Sequence, residues 1–132
     1  MLAIPFLKLK ELCNSISEID ENIQSVVVIN KNGRAIEKNN YEIANKIPRE
    51  KYEMFFMQRA LEISMGRDFD DEYGQINYAF TERENLSLFS FPINDFIILV
   101  ISKSNISPIS TAKKIINVIS SYTRSTNLLL NS

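Results

Sequence analysis

The longest unbroken apolar run in the chain is Phe96 to Ser102, FIILVIS, rich in β-branched residues and bounded by Asn94-Asp95 and Lys103-Ser104. It is far too short to cross a bilayer, and its lack of polar alternation predicts a strand covered on both faces at the centre of a sheet. Four other runs read as strands. Ser25 to Asn30 holds Val26, Val27, Val28 and Ile29 in succession, and Lys31-Asn32-Gly33 then leads to Arg34 to Lys38. An Asn-Gly pair between two such runs is a strong hairpin signal, because both residues tolerate the positive φ of a tight turn. The first strand is apolar on both faces. The second carries only Ala35 and Ile36 among charges that discourage further pairing, so it belongs at an edge. Gln75 to Thr81 alternates cleanly, as a strand with one buried face does, and Leu86 to Phe91 is again apolar on both faces.

Between these runs the period changes to that of helices. From Pro5 to about Ile19, Phe6, Leu9, Leu12, Cys13, Ile16 and Ile19 form one stripe opposite Lys8, Lys10, Glu11, Asn14, Ser15 and Glu18. Ser107-Pro108 opens a last helix with a serine cap and a first-turn proline. Its buried side is predicted as Ile109, Ala112, Ile115, Ile116, Ile119 and Tyr122, and a polar tail from Thr123 to Ser132 follows, broken by Leu128-Leu129-Leu130. The middle helix is different. It follows the polar connection 39–46, starts near Pro48 and ends at Gly66, with two stripes: Tyr52, Phe56, Ala60 and Ile63 form one, and Met54, Met57, Leu61 and Met65 the other. A helix lying on a monomer needs only one apolar stripe, so the second calls for a cover. Asp68 to Glu72 is expected to be an acidic, solvated loop, since it lacks the spaced ligands and turn glycine of a calcium loop.

The order helix, two strands, helix, three strands, helix predicts an α+β fold. Strands apolar on two faces go inside and the others outside, and hairpins join neighbours, giving a five-stranded, mainly antiparallel sheet of order 2-1-5-4-3. The first and last helices cover one face and the middle helix the other.

Composition narrows the chemistry. At 132 residues with 45% apolar and 23% charged residues, the chain is expected to form a single domain with an ordinary core. A net charge of -1 gives no reason to expect nucleic acid or an anionic membrane as partner, and no membrane span or leader is read. Single Cys13 excludes an intrachain disulfide and fits a reducing, cytoplasmic setting; it is read as a buried hydrophobe. With no histidine, Ser-His and Cys-His nucleophile arrangements are excluded, and three glycines outside any phosphate-loop spacing remove the usual nucleotide sites. No catalytic, cofactor-binding or metal-ligating residues are assigned, and no enzyme is expected.

Two stretches carry a resemblance. The hairpin Ser25 to Ile36, SVVVINKNGRAI, and the block Asn94 to Lys103, leading through Asn105 into the last helix, resemble the roadblock / dynein light chain family within the profilin-like and longin-like architecture. The likeness runs over about residues 4–122. It implies a homodimer in which middle helices pack together and third strands pair at their edges. The implied interface takes Tyr52, Met54, Phe55, Phe56, Met57, Arg59, Leu61 and Ile63 from the helix, and Ile76, Tyr78 and Phe80 from the strand. It also implies a scaffold that recruits a protein, with small Ras-like GTPases as partner class. Where the family favours small residues in the middle helix, this chain has Phe55, Phe56 and Met57, which sets the helices at a different spacing. The alternative is a small-molecule sensor, with Tyr52, Phe56, Tyr78 and Phe89 lining a pocket between helix and sheet.

Overall fold

Strand β5, Phe96–Ser102, lies in the middle of a five-stranded sheet, as its two-faced apolarity requires. A computed structural model describes residues 6–39, 47–104 and 107–131, with side-chain surroundings for 8–39, 47–104 and 107–123. The elements are α1 (Phe6–Ser17), β1 (Ile23–Asn30), β2 (Ala35–Asn39), α2 (Tyr52–Gly66), α3 (Asp70–Tyr73), β3 (Ala79–Glu82), β4 (Ser87–Ile93), β5 and α4 (Pro108–Asn131). The sheet order is β2-β1-β5-β4-β3, every pairing antiparallel.

Period-two alternation sorts the interior into two clusters. Val26 and Val28 of β1, Phe89 and Phe91 of β4, and Ile98 and Val100 of β5 point to one face. There they meet Leu9, Leu12, Cys13 and Ile16 of α1 and Ala112, Ile115 and Ile119 of α4. Val27, Ile29, Leu88, Ile97, Leu99 and Ile101 point to the other face and meet Phe56, Ala60 and Ile63 of α2. Each large side chain buried this way contributes about 1.5–3 kcal/mol. On the α1/α4 face a row of rings crosses the outer strands: Phe80 lies 4.8 Å from Phe89, and Tyr78 5.9 Å from Phe91.

The β1–β2 turn is held by Asn30, whose side-chain carbonyl accepts from the Asn32 and Arg34 amides at 2.9 and 3.0 Å. Gly33 takes φ +82°, and the register slips by one residue between Val28 and Ile29, so the hairpin closes with a bulge. At the β4–β5 turn Asn94 occupies the left-handed region at φ 53°, which asparagine tolerates better than most residues.

Several boundaries differ from expectation. The third strand pairs only over Ala79–Glu82, not from Gln75. Continuing the register would set Asn77 opposite Pro92, which has no amide hydrogen, and the ladder stops short of it. The alternation also slips there, since Ile76 packs on the α2 face while Tyr78 packs on the other. Asp68 to Glu72 is helical rather than a loop: a 3₁₀ turn at Arg67–Phe69 leads straight into α3. Asp70, Asp71 and Glu72 stand in the first turn of α3, where carboxylates suit the helix dipole, and Gly74 at φ +82° ends it. Ile109 is exposed in the first turn of α4 and Thr111 is buried instead. The polar connection at 40–46, Asn105 and the surroundings of Phe6 and Leu128 to Leu130 lie outside the described residues; the α4 backbone runs on to Asn131.

Cys13 is fully buried on α1. Burial, with a smaller push from the Glu37 carboxylate partly offset by Lys10, raises its thiol to about 12 from 9.0. The neutral thiol is thus the species present through the physiological range, and its contribution to stability is lost only in alkali, between about pH 9 and pH 12. Such a thiol has little nucleophilic character.

Candidate functional site: the outer face of the middle helix

At 100° per residue, Met54, Met57, Leu61 and Met65 fall on the side of α2 opposite Phe56, Ala60 and Ile63. The inner set is buried against the sheet. The outer set is open to solvent, with Met54 65%, Met57 48%, Leu61 52% and Met65 67% exposed. Beyond Gly66 the chain passes through the 3₁₀ turn and, with Phe69 at φ −110° and ψ 13°, into α3, where Phe69 and Tyr73 are also exposed, their rings 6.4 Å apart. Four large apolar side chains on the outer side of α2, with two more just past its end, exceed the scattered exposure normal for a monomer surface. Methionines in such a row adapt their shape to a partner.

The helix is set firmly on the sheet. Arg59, with only 15% of its side chain exposed, lies with its guanidinium 5.8 Å from the Phe55 ring centroid. Its Nη1 donates to Thr81 Oγ1 of β3 at 3.4 Å and pairs with Glu62 at 3.3 Å. At the other end Arg67 donates to the Asn94 carbonyl at 2.7 Å. Gly33 of the β1–β2 turn is buried against the α2 backbone: a Cβ built there would lie 2.8 Å from Met57 Cα.

Beside the N-terminal half of α2 a cleft of about 380 Å³ opens toward the β3–β4 turn. Its floor is apolar, from Phe55, Leu86 and Leu88, and Lys51, Arg59 and Arg83 stand on its walls. Among the described residues no carboxylate lines it. Edge strand β3 lies next to it, with β4 on one side and its other side unpaired among the described residues.

The structure divides the residues that sequence reasoning assigned to an interface. Met54, Met57 and Leu61 lie on the outer face and are free to touch a partner. Phe56 and Ile63 are 6% and 2% exposed and belong to the core under α2, so they are corrected from contact residues to core. Tyr52, Phe55 and Ile76 are half-buried against that same core, and Arg59 is held between helix and β3. Tyr78 and Phe80 pack toward α1 and α4 on the opposite face of the sheet. The four aromatic residues proposed to line a sensor pocket do not converge either. Tyr52 and Phe56 lie on one face of the sheet, Tyr78 and Phe89 on the other. Sequence reasoning missed Phe69 and Tyr73 because the acidic segment hid the helical continuation; the four-residue step from Leu61 through Met65 was the available signal. It also missed Lys51 and Arg83, which meet only through the fold.

No family model and no curated protein matches the chain by sequence. Its structure is similar to a Roadblock/LC7 domain from Streptomyces avermitilis, at 11% identity and a TM-score of 0.64 over 93% of this chain and 98% of that one. It is similar to MglB of Myxococcus xanthus, at 18% identity and a TM-score of 0.67 over 95% and 94% of the two chains. The gliding protein MglB of Thermus thermophilus gives 8% identity and a TM-score of 0.68 over 95% of each. The chain has the roadblock fold.

Proposed function

We propose that this chain, built on the roadblock fold, is a non-catalytic interaction module of the cytoplasm: a homodimer whose composite surface recruits a second protein, with a small Ras-like GTPase as the partner class. The exposed stripe Met54, Met57, Leu61 and Met65 carries the reading, because a run of large apolar side chains on the solvent side of a helix marks a surface that a partner covers. The unpaired side of β3, adjacent to that helix, offers backbone groups for a second copy to extend the sheet. Self-association is in keeping with the tetrameric arrangement of one MglB of similar fold.

The partner class is tested by titrating the chain with Ras-like GTPases from the same organism, each loaded with GDP or a non-hydrolysable GTP analogue, and measuring heat of binding. The expected result is a complex with one nucleotide state at least about tenfold tighter than with the other. Absence of binding to every GTPase in both states contradicts the partner class and leaves dimerisation to be judged separately.

A further inference from the structure

The β1–β2 turn holds the sole Asn-Gly pair in the chain, Asn32-Gly33, and the interaction module described above makes no use of its chemistry. In a flexible peptide such a pair is prone to deamidate. The Gly33 nitrogen, unhindered by a side chain, gives up its proton and attacks the side-chain carbonyl carbon of Asn32. The amide nitrogen leaves with that proton as ammonia, and a five-membered imide remains. Water then opens the ring at either carbonyl. One opening gives aspartate; the other gives isoaspartate, whose backbone runs through the former side chain and is longer by one carbon, about 1.5 Å.

The fold withholds the nucleophile. The Gly33 N–H donates to the Asn30 carbonyl at 2.9 Å, so removing its proton would set two bare lone pairs against each other. The Asn30 side-chain carbonyl accepts from the Asn32 and Arg34 amides at 2.9 and 3.0 Å, and the Asn30 amide donates to the Arg34 carbonyl at 2.9 Å. These bonds fix the backbone on both sides of the reacting atoms, while Asn32 itself is exposed to water and Gly33 is buried. The same seat has no room for the longer backbone. A carbon added to Gly33 would fall 2.8 Å from Met57 Cα and 2.9 Å from Met57 N, so displacement toward α2 is blocked and displacement away from it parts Gly33 from Asn30. We propose that Asn32 is a site of spontaneous covalent modification gated by the seating of the turn under α2. Seated, the pair is protected; unseated, Asn32 converts, and the isoaspartate product does not regain the seat. Opening of the turn is thereby recorded in one direction. The helix it unseats is the one that carries Met54, Met57, Leu61 and Met65 on its outer side.

The test is to hold the chain in mildly alkaline buffer and follow conversion of residue 32 by peptide mass mapping and enzymatic isoaspartate methylation. The folded chain is expected to convert at least about tenfold more slowly than the same chain in denaturant. Asn30→Ala removes the side-chain acceptor and speeds conversion at least about fivefold, with circular dichroism confirming the fold; Asn30→Asp keeps an acceptor and stays within about twofold of the unaltered rate. The isoaspartate chain, purified after ageing in denaturant and mapped to residue 32, is refolded beside Asn32→Asp, which has the aspartate side chain and an unlengthened backbone. Asn32→Asp keeps its Tm within about 3 °C of the unaltered chain, and the isoaspartate chain melts at least about 10 °C lower. Equal conversion in the folded and denatured chains, an Asn30→Ala variant no faster than the original, or an isoaspartate chain as stable as Asn32→Asp overturns the proposal. None of these outcomes bears on whether the chain dimerises.

Discussion

Leu61→Asp is expected to abolish self-association and leave the protomer folded. Leu61 lies in the middle of the outer stripe of α2, 52% exposed, and touches none of the core under that helix. In the free protomer the change costs only the lower helix propensity of aspartate, about 0.5 kcal/mol, so at chain concentrations below the dimer Kd circular dichroism and the unfolding midpoint barely move. In the dimer proposed above, residue 61 lies at the middle of the covered stripe of both copies. Substitution there replaces two apolar contacts with two carboxylates held away from water, which is expected to weaken association by at least about a hundredfold. Ser121→Asp is the control: it sits exposed on α4, which packs on the opposite face of the sheet, and is expected to leave Kd within about threefold. Equal loss in both variants, or no loss in Leu61→Asp, removes the outer stripe from the interface.

Gly33→Ala is expected to lower stability by about 2–4 kcal/mol, a fall in Tm on the order of 10 °C. Two costs combine. The turn holds residue 33 at φ +82°, a conformation that costs an L-residue about 1 kcal/mol. The added methyl carbon would also lie 2.8 Å from Met57 Cα and 2.9 Å from Met57 N, both backbone atoms of a packed helix that cannot rotate aside. Relief requires α2 to move off the β1–β2 turn, taking Phe56 and Ala60 out of their seats on the sheet. Gly74→Ala carries a conformational cost and no steric one: Gly74 has φ 82° and ψ 172°, a region open essentially to glycine alone, and nothing within 4 Å of the place its methyl carbon would take. It should lose only that share, about 1–3 kcal/mol. A Gly33→Ala loss of no more than about 1 kcal/mol, the backbone share alone, would mean that the approach of the turn to the helix carries no weight.

The sheet was legible because its chemistry is local. β1, β4 and β5 differ from β2 and β3 in carrying apolar residues at consecutive rather than alternate positions, and that difference alone puts them inside. The Asn32-Gly33 turn announces the first hairpin, and the remaining hairpins leave few ways to close the sheet. The two-striped character of α2 was equally plain, since it depends only on the period. What the sequence does not display is contact between remote residues. Gly33 reads as a turn glycine, and nothing near it shows that its missing side chain makes room for Met57. Pro92 limits β3 from a neighbouring strand, so the clean alternation of Gln75 to Thr81 overstated how far that strand pairs. Asp68 to Glu72 looked like a loop because its charges were read as solvation, although in a first helical turn the same carboxylates favour helix. The stripe could be read, but Tyr52, Phe55, Phe56 and Ile63 were drawn into the interface with it. Only packing separates the side of a helix that faces its own sheet from the side left over.

The most direct test of the central claim is solution mass by light scattering, from low micromolar to several hundred micromolar chain. A covered outer stripe predicts twice the 15.2 kDa chain mass over the upper part of that range, falling toward the single-chain value on dilution. A mass of one chain at every concentration contradicts the account, for the stripe Met54, Met57, Leu61 and Met65 would then stand uncovered in the isolated protein.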